Sequence, residues 1–104
     1  MKSISIKGSD HSLEADVYEA GDRWVLLCHG KVFDKREWGS LPQSLNTHGL
    51  SVLSLNFSGY GASAGSKDPN QYPRDIDSAL EWLNQRNPTS VSAIGASMGA
   101  VALI

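Results

Sequence analysis

Ser97 stands in Gly95-Ala96-Ser97-Met98-Gly99, a Gly-x-Ser-x-Gly pattern. A hydroxyl becomes a useful nucleophile when its backbone holds it clear of its neighbours and a base can take its proton. The flanking residues provide for the first condition. Val91-Ser92-Ala93-Ile94 before the pattern reads as a short strand, and Ala100-Val101-Ala102-Leu103-Ile104 after it as an apolar helical run. A strand that turns at once into a helix forces the residue at the apex into a strained conformation, with room only for small neighbours. Such a turn lifts the Ser97 hydroxyl out at the C-terminal edge of a sheet. It also aims the backbone N–H of Met98 at an oxyanion forming beside the serine.

Two further segments reach the same edge. In Cys28-His29-Gly30-Lys31, His-Gly follows an apolar strand and makes a tight turn whose next backbone N–H can point at that oxyanion. Asn56-Phe57-Ser58-Gly59-Tyr60-Gly61-Ala62-Ser63 is a glycine-rich loop after a second strand. Cys28 and His29 are adjacent on a strand and face opposite ways, so they do not pair as nucleophile and base. Cys28 reads as a buried free thiol and His29 as a turn residue. His48 falls at a helix C-terminus, where the partial negative charge favours it, and His11 falls in a turn. Asp75 and Asp77 read as helix-start charges. Tyr60 either lines the pocket or packs over its loop. Gly59-x-Gly61-x-x-x-Gly65 approaches a dinucleotide fingerprint, but its spacing is wrong and the next helix starts near Tyr72, too late to meet a pyrophosphate.

The elements that carry these residues follow from hydrophobic periodicity. Ile4 and Ile6, then Leu13, Ala15 and Val17 beyond the Gly8–His11 break, alternate as an antiparallel hairpin with one wet face. Trp24-Val25-Leu26-Leu27-Cys28 is continuous and apolar, the mark of a parallel strand covered on both faces, and Ser51–Leu55 is another strand. Trp38, Leu41 and Leu45 share a helical face, with Ser40 as N-cap, Pro42 in the first turn and Gly49 as the left-handed residue past the end. Tyr72, Ile76, Ala79, Leu80 and Leu83 form the stripe of a second helix that Asn87-Pro88 stops. The sum is an α/β chain: an N-terminal β-hairpin, then βαβαβ of a mostly parallel sheet, then the start of another helix.

From Trp24 onward the chain resembles the α/β-hydrolase family, and the Gly-Tyr-Gly loop is similar to its dienelactone-hydrolase and serine-aminopeptidase-like branches. The landmarks come in the family's order: apolar strand, His29-Gly30, a helix with an early Trp38, a strand, the Gly59-Tyr60-Gly61-Ala62-Ser63 loop, a helix, and the elbow at Gly95–Gly99. The resemblance implies that Ser97 is the nucleophile and that Lys31 and Met98 donate backbone N–H groups to an oxyanion hole, with His29, Gly30, Gly95 and Gly99 as the structural motif around them. Asn56 and Ser58 stand where the family has Asp and Arg, so the ion pairing of that loop differs. The family's acid and histidine follow the nucleophile, whereas Met98–Ile104 contains neither. Residues 1–104 are therefore expected to be the N-terminal portion of a single α/β-hydrolase domain. The implied activity is serine hydrolysis of small esters or related acyl compounds; the alternative is a non-catalytic binding module or a decayed relative.

Composition narrows the partners. The 104 residues carry nine Lys and Arg against eleven Asp and Glu, a net charge of −2, with no basic block for nucleic acid. A single cysteine excludes an intramolecular disulfide and a Cys-rich metal site. No apolar leader and no run of about 18 apolar residues is present, so the expectation is a cytoplasmic protein without membrane contact. No cofactor or metal is implied, and the expected partner is a small acyl substrate. The Val91–Ile94 strand would keep one edge unpaired, which favours self-association.

Overall fold

The protein, a computed structural model, is described over residues 1–31 and 34–103. Its strands are β1 (Lys2–Lys7), β2 (Ser12–Tyr18), β3 (Arg23–Cys28), β4 (Leu50–Leu55) and β5 (Ser90–Gly95). Its helices are α1 (Leu41–Thr47), α2 (Tyr72–Asn84) and α3 (Met98–Leu103), with a 3-10 turn at Lys35–Trp38. The strands form one sheet in the order β1-β2-β4-β3-β5. β1 pairs antiparallel with β2, and β2 antiparallel with β4, whereas β3 runs parallel to both β4 and β5.

Amino-acid choice explains the layering. Trp24 to Cys28 are all buried because β3 lies between β4 and β5 and is covered on both faces. Leu26 and Cys28 face one layer with Leu53 and Leu55, against Ile76, Ala79 and Leu83 of α2. Val25, Leu27 and Val52 face the other, against Trp38, Leu41 and Leu45. Burying each such aliphatic side chain contributes about 1.5–3 kcal/mol before chain entropy is counted. The helices of the two crossovers thus lie on opposite faces of the sheet, and β4 and β5 lie on opposite sides of β3. The C-terminal end of β3 is therefore a topological switch point, the place where open α/β sheets hold ligands.

Several local expectations need correcting. Trp38 belongs to the separate 3-10 turn, which Gly39 ends at φ +54, so it packs beside Leu41 and Leu45 from outside α1. Ser40 occupies the N-cap position of α1 but makes no side-chain capping bond; Gly49, at φ +80, is the left-handed residue after the helix. Leu80 is 39% exposed, since it lies at the margin of the α2 stripe towards Val91, on the open side of β5. The second face of β2 is not simply wet. Asp16 is buried there, accepting from Ser3 Oγ at 2.6 Å and Lys35 Nζ at 2.8 Å. Burial disfavours the Lys35 ammonium, but the Asp16 hydrogen bond and charge outweigh it and raise its pKa. In α3, Val101 is exposed, whereas Leu103 is half-buried against the core; Ile104 lies outside the described residues. Among the described residues no helix is long and apolar enough to cross a membrane.

Candidate active site

The C-terminal ends of β3 and β5 are held together beyond their strands. Cys28 pairs with Gly95, and Ala96 N–H then donates to the Cys28 carbonyl at 3.1 Å. The chain reverses directly into α3, with Val101 N–H donating to the Ser97 carbonyl at 3.1 Å. Ser97 stands at the reversal with φ +52, in the left-handed region that a residue bearing a Cβ rarely adopts, and it is exposed. Its two glycines are dictated by space. A Cβ on Gly95 would come 2.5 Å from Ala100 N, and one on Gly99 would collide with the Cys28 carbonyl oxygen. Any larger residue there would push α3 off the end of β3 and carry Ser97 with it.

Gly30 and Ser97 are brought together at this edge. A Cβ built on Gly30 would lie 3.6 Å from Ser97 Cβ and 3.4 Å from the Ala96 carbonyl oxygen. Lys31 follows, exposed, and Met98 opens α3 with its side chain half-buried on the core. Tyr60, the residue whose role the sequence left open, joins the two. Its hydroxyl donates to the Lys31 carbonyl at 2.9 Å and lies 3.7 Å from Met98 Sδ. The seven residues singled out around the elbow and the His-Gly turn thus meet at one end of the sheet. A cleft of about 560 Å³ opens beside them, lined by Asp34, Arg36, Glu37, Tyr60 and Lys67 among others. In chemical terms, an exposed hydroxyl stands on a fixed turn beside a second tight turn, with peptide groups on both.

The three histidines are engaged elsewhere. His29 is fully buried, and its Nε2 accepts from Phe57 N–H at 3.1 Å, so the ring proton is on Nδ1, which donates to the Gly30 carbonyl at 2.8 Å. Burial, foremost, holds its pKa below the usual histidine range. His48 caps α1, its Nδ1 bonded to the Ser44 carbonyl at 2.9 Å. His11 lies in the expected turn, and its Nε2 is 2.6 Å from Ser58 Oγ, whose proton goes to Asp75 Oδ1 at 2.8 Å. Asp75 is a first-turn residue of α2 as expected, but it is buried and also accepts from Ser58 N–H at 2.8 Å. Asp77 is exposed. Asn56 answers the Asp-to-Asn departure: Lys35 N–H donates to its Oδ1 at 2.6 Å and its Nδ2 donates to Glu14 Oε1 at 2.8 Å. Hydrogen bonds to the Glu14 and Asp75 carboxylates thus hold this loop. Cys28 is buried, and its thiol pKa is pushed up to about 12, which leaves it protonated and inert near neutrality. Among the described residues no group of three or more His, Cys, Asp or Glu side chains could hold a metal ion.

A pH dependence follows from His29. Its folded pKa lies below the unfolded value of about 6.5, so the unfolded chain binds its proton first as the pH falls. Stability from this group is whole above about pH 6.5 and declines below it. Urea midpoints measured from pH 7.5 to 5 are expected to fall, and His29→Gln is expected to flatten the slope while lowering the plateau. An unchanged slope in that variant would assign the acid sensitivity to other groups.

Comparison with known proteins agrees with this architecture. The fold superposes on epoxide hydrolase A from Mycobacterium thermoresistibile with TM-score 0.83 and 21% identity, over 98% of this chain and 33% of that one. It superposes on the esterase Pf2001 of Pyrococcus furiosus with TM-score 0.85 and 24% identity, over 97% and 44%. For Est1E of Butyrivibrio proteoclasticus, solved with ferulic acid, the values are 0.87 and 17%, over 96% and 45%. An uncharacterized protein of Mycobacterium tuberculosis is 31% identical over 83 residues, and the chain matches 30% of that curated relative's length. The strand order, the helices on both faces and the turn at the end of β5 are those of an α/β-hydrolase fold. Residues 20–104 match the family described as serine aminopeptidase, S33, and the chain belongs to that family.

Proposed function

We propose that the complete protein carrying this chain is a serine hydrolase of small esters or related acyl compounds, with Ser97 as nucleophile. A fold shared by an epoxide hydrolase and esterases does not choose a chemistry, so the residue at the apex must. The observation that carries the reading is Ser97 itself: left-handed at φ +52, exposed, and set against Gly30 at the switch point of the sheet. Ser97 Oγ attacks the acyl carbon, the carbonyl electron pair moves onto oxygen, and the backbone N–H groups of Lys31 and Met98 receive that charge. Collapse expels the leaving group as an alcohol, and water then releases the acid from the serine. The base that takes and returns the proton comes from outside residues 1–104, since all three histidines here are otherwise bonded. The chain is the N-terminal portion of the hydrolase domain in this reading.

A fluorophosphonate probe tests the assignment. Applied to the complete protein, it is expected to label the peptide containing Ser97, and Ser97→Ala should remove the label. Labelling that survives the substitution would place the nucleophile elsewhere.

A further inference from the structure

The turn that sets Gly30 against Ser97 is exposed at Lys31, so something must fix it. Its backbone groups are taken up by three side chains. Glu37 Oε2 accepts from Gly30 N–H at 2.7 Å, His29 Nδ1 donates to the Gly30 carbonyl at 2.8 Å, and Tyr60 OH donates to the Lys31 carbonyl at 2.9 Å. His29 belongs to the family motif already described. Glu37 and Tyr60 come from two other segments, and each reaches the turn for a definable reason.

Glu37 lies in the 3-10 turn Lys35–Trp38, where Asp34 caps the start and Glu37 N–H donates to the Asp34 carbonyl at 3.0 Å. That geometry aims the carboxylate back at Gly30. A Cβ on Gly30 would lie 3.4 Å from Glu37 Oε1 and 3.6 Å from Ser97 Cβ, so Gly30 is held between the two. Tyr60 comes from the glycine-rich loop. Its ring is buried, edge-on to His29 at 4.6 Å with the Lys67 ammonium 4.5 Å from its centroid, so its hydroxyl has little freedom. The same hydroxyl touches Met98 Sδ at 3.7 Å and thereby spans both sides of the site.

We infer that Glu37 and Tyr60 are positioning residues: they clamp the Gly30–Lys31 turn so that the Lys31 N–H is aligned with the oxyanion formed at Ser97. The inference rests on the serine-hydrolase reading above. Neither residue takes or gives a proton in the reaction. Their effect is to align a donor, and misplacing a reacting group by about 1 Å can cost on the order of 10² in rate.

The test is steady-state hydrolysis of p-nitrophenyl acetate by the complete protein and four variants. Tyr60→Phe keeps the packed ring and deletes only the hydroxyl. Glu37→Ala removes the acceptor for Gly30 N–H, and Glu37→Gln keeps an oxygen there without the charge. The expected result is a fall in kcat of about 10–100-fold for Tyr60→Phe and Glu37→Ala, with KM within about threefold. Glu37→Gln should recover most of that loss, because its amide oxygen still accepts from Gly30. If Glu37→Ala does not fold, Tyr60→Phe and Glu37→Gln decide the matter. The inference is overturned if Tyr60→Phe keeps kcat within about twofold of the parent, or if Glu37→Gln is as impaired as Glu37→Ala. Ser97→Ala, the fourth variant, separates the two levels. Parental activity in Ser97→Ala defeats the serine-hydrolase reading, whereas its loss beside an unaffected Tyr60→Phe defeats only the clamp.

Discussion

Replacing Ser97 by alanine in the complete protein is expected to lower kcat on an activated ester by at least about 10³-fold, equivalent to about 4 kcal/mol of barrier. The reasoning is chemical. In the proposed reaction the Ser97 hydroxyl forms the acyl intermediate, and among the described residues it is the hydroxyl exposed at the apex. Cys28, the one thiol, is buried and held protonated by its surroundings. The fold should survive, because Ser97 is exposed and its side chain fills no core space. Alanine keeps the Cβ and gives the apex the same backbone to adopt. Lys31→Ala is the informative contrast. If Lys31 acts through its peptide N–H, the ammonium is dispensable, and kcat should change only a few-fold. Loss of a true oxyanion donor costs about 10²–10³. A drop of that size in Lys31→Ala, with intact folding, would show that the side chain matters.

The largest effect on stability is expected at Gly99. A single methyl there must occupy the space of the Cys28 carbonyl, with the His29 carbonyl oxygen 2.8 Å away. Both obstacles are backbone at the end of β3, an interior strand with β4 on one side and β5 on the other, and it cannot retreat. Gly99→Ala should therefore displace α3 and destabilise the protein by about 3 kcal/mol or more, a large share of an ordinary stability of about 5–15 kcal/mol. Gly49→Ala is the matching control. Gly49 is left-handed at φ +80, but its missing Cβ has open space around it, so only the conformational cost of about 1–2 kcal/mol applies. Urea denaturation ranks the two. Equal midpoints would mean that α3 shifts freely and that the packing does not fix the elbow.

How much of this was legible in the sequence depended on whether the signal was local. β3 and β5 were readable because their residues are apolar without interruption or stand directly before a turn, and α2 because its stripe repeats along one helix. The elbow was readable for the same reason: the strand, the small residues and the helix are contiguous. Features made by distant segments were not. Asp16 alternated correctly for an exposed face, but Lys35 reaches across to it from 19 residues away. His11 looked like any turn histidine, and only the fold sets it on Ser58, 47 positions later, above the Asp75 carboxylate. Glu37 carried no signal at all, since a glutamate before a tryptophan in a polar stretch is unremarkable until Gly30 is folded against it. Leu80 had the right period, but period alone does not tell the centre of a stripe from its margin beside an open edge.

Whether Ser97, Lys31 and Met98 act on one acyl group is decided by a crystal structure of the complete protein reacted with a fluorophosphonate. Phosphorus is expected to be bonded to Ser97 Oγ, with the phosphoryl oxygen about 2.7–3.1 Å from the backbone nitrogens of both Lys31 and Met98. An adduct on another residue, or one on Ser97 whose phosphoryl oxygen faces solvent and touches neither nitrogen, would contradict that joint role.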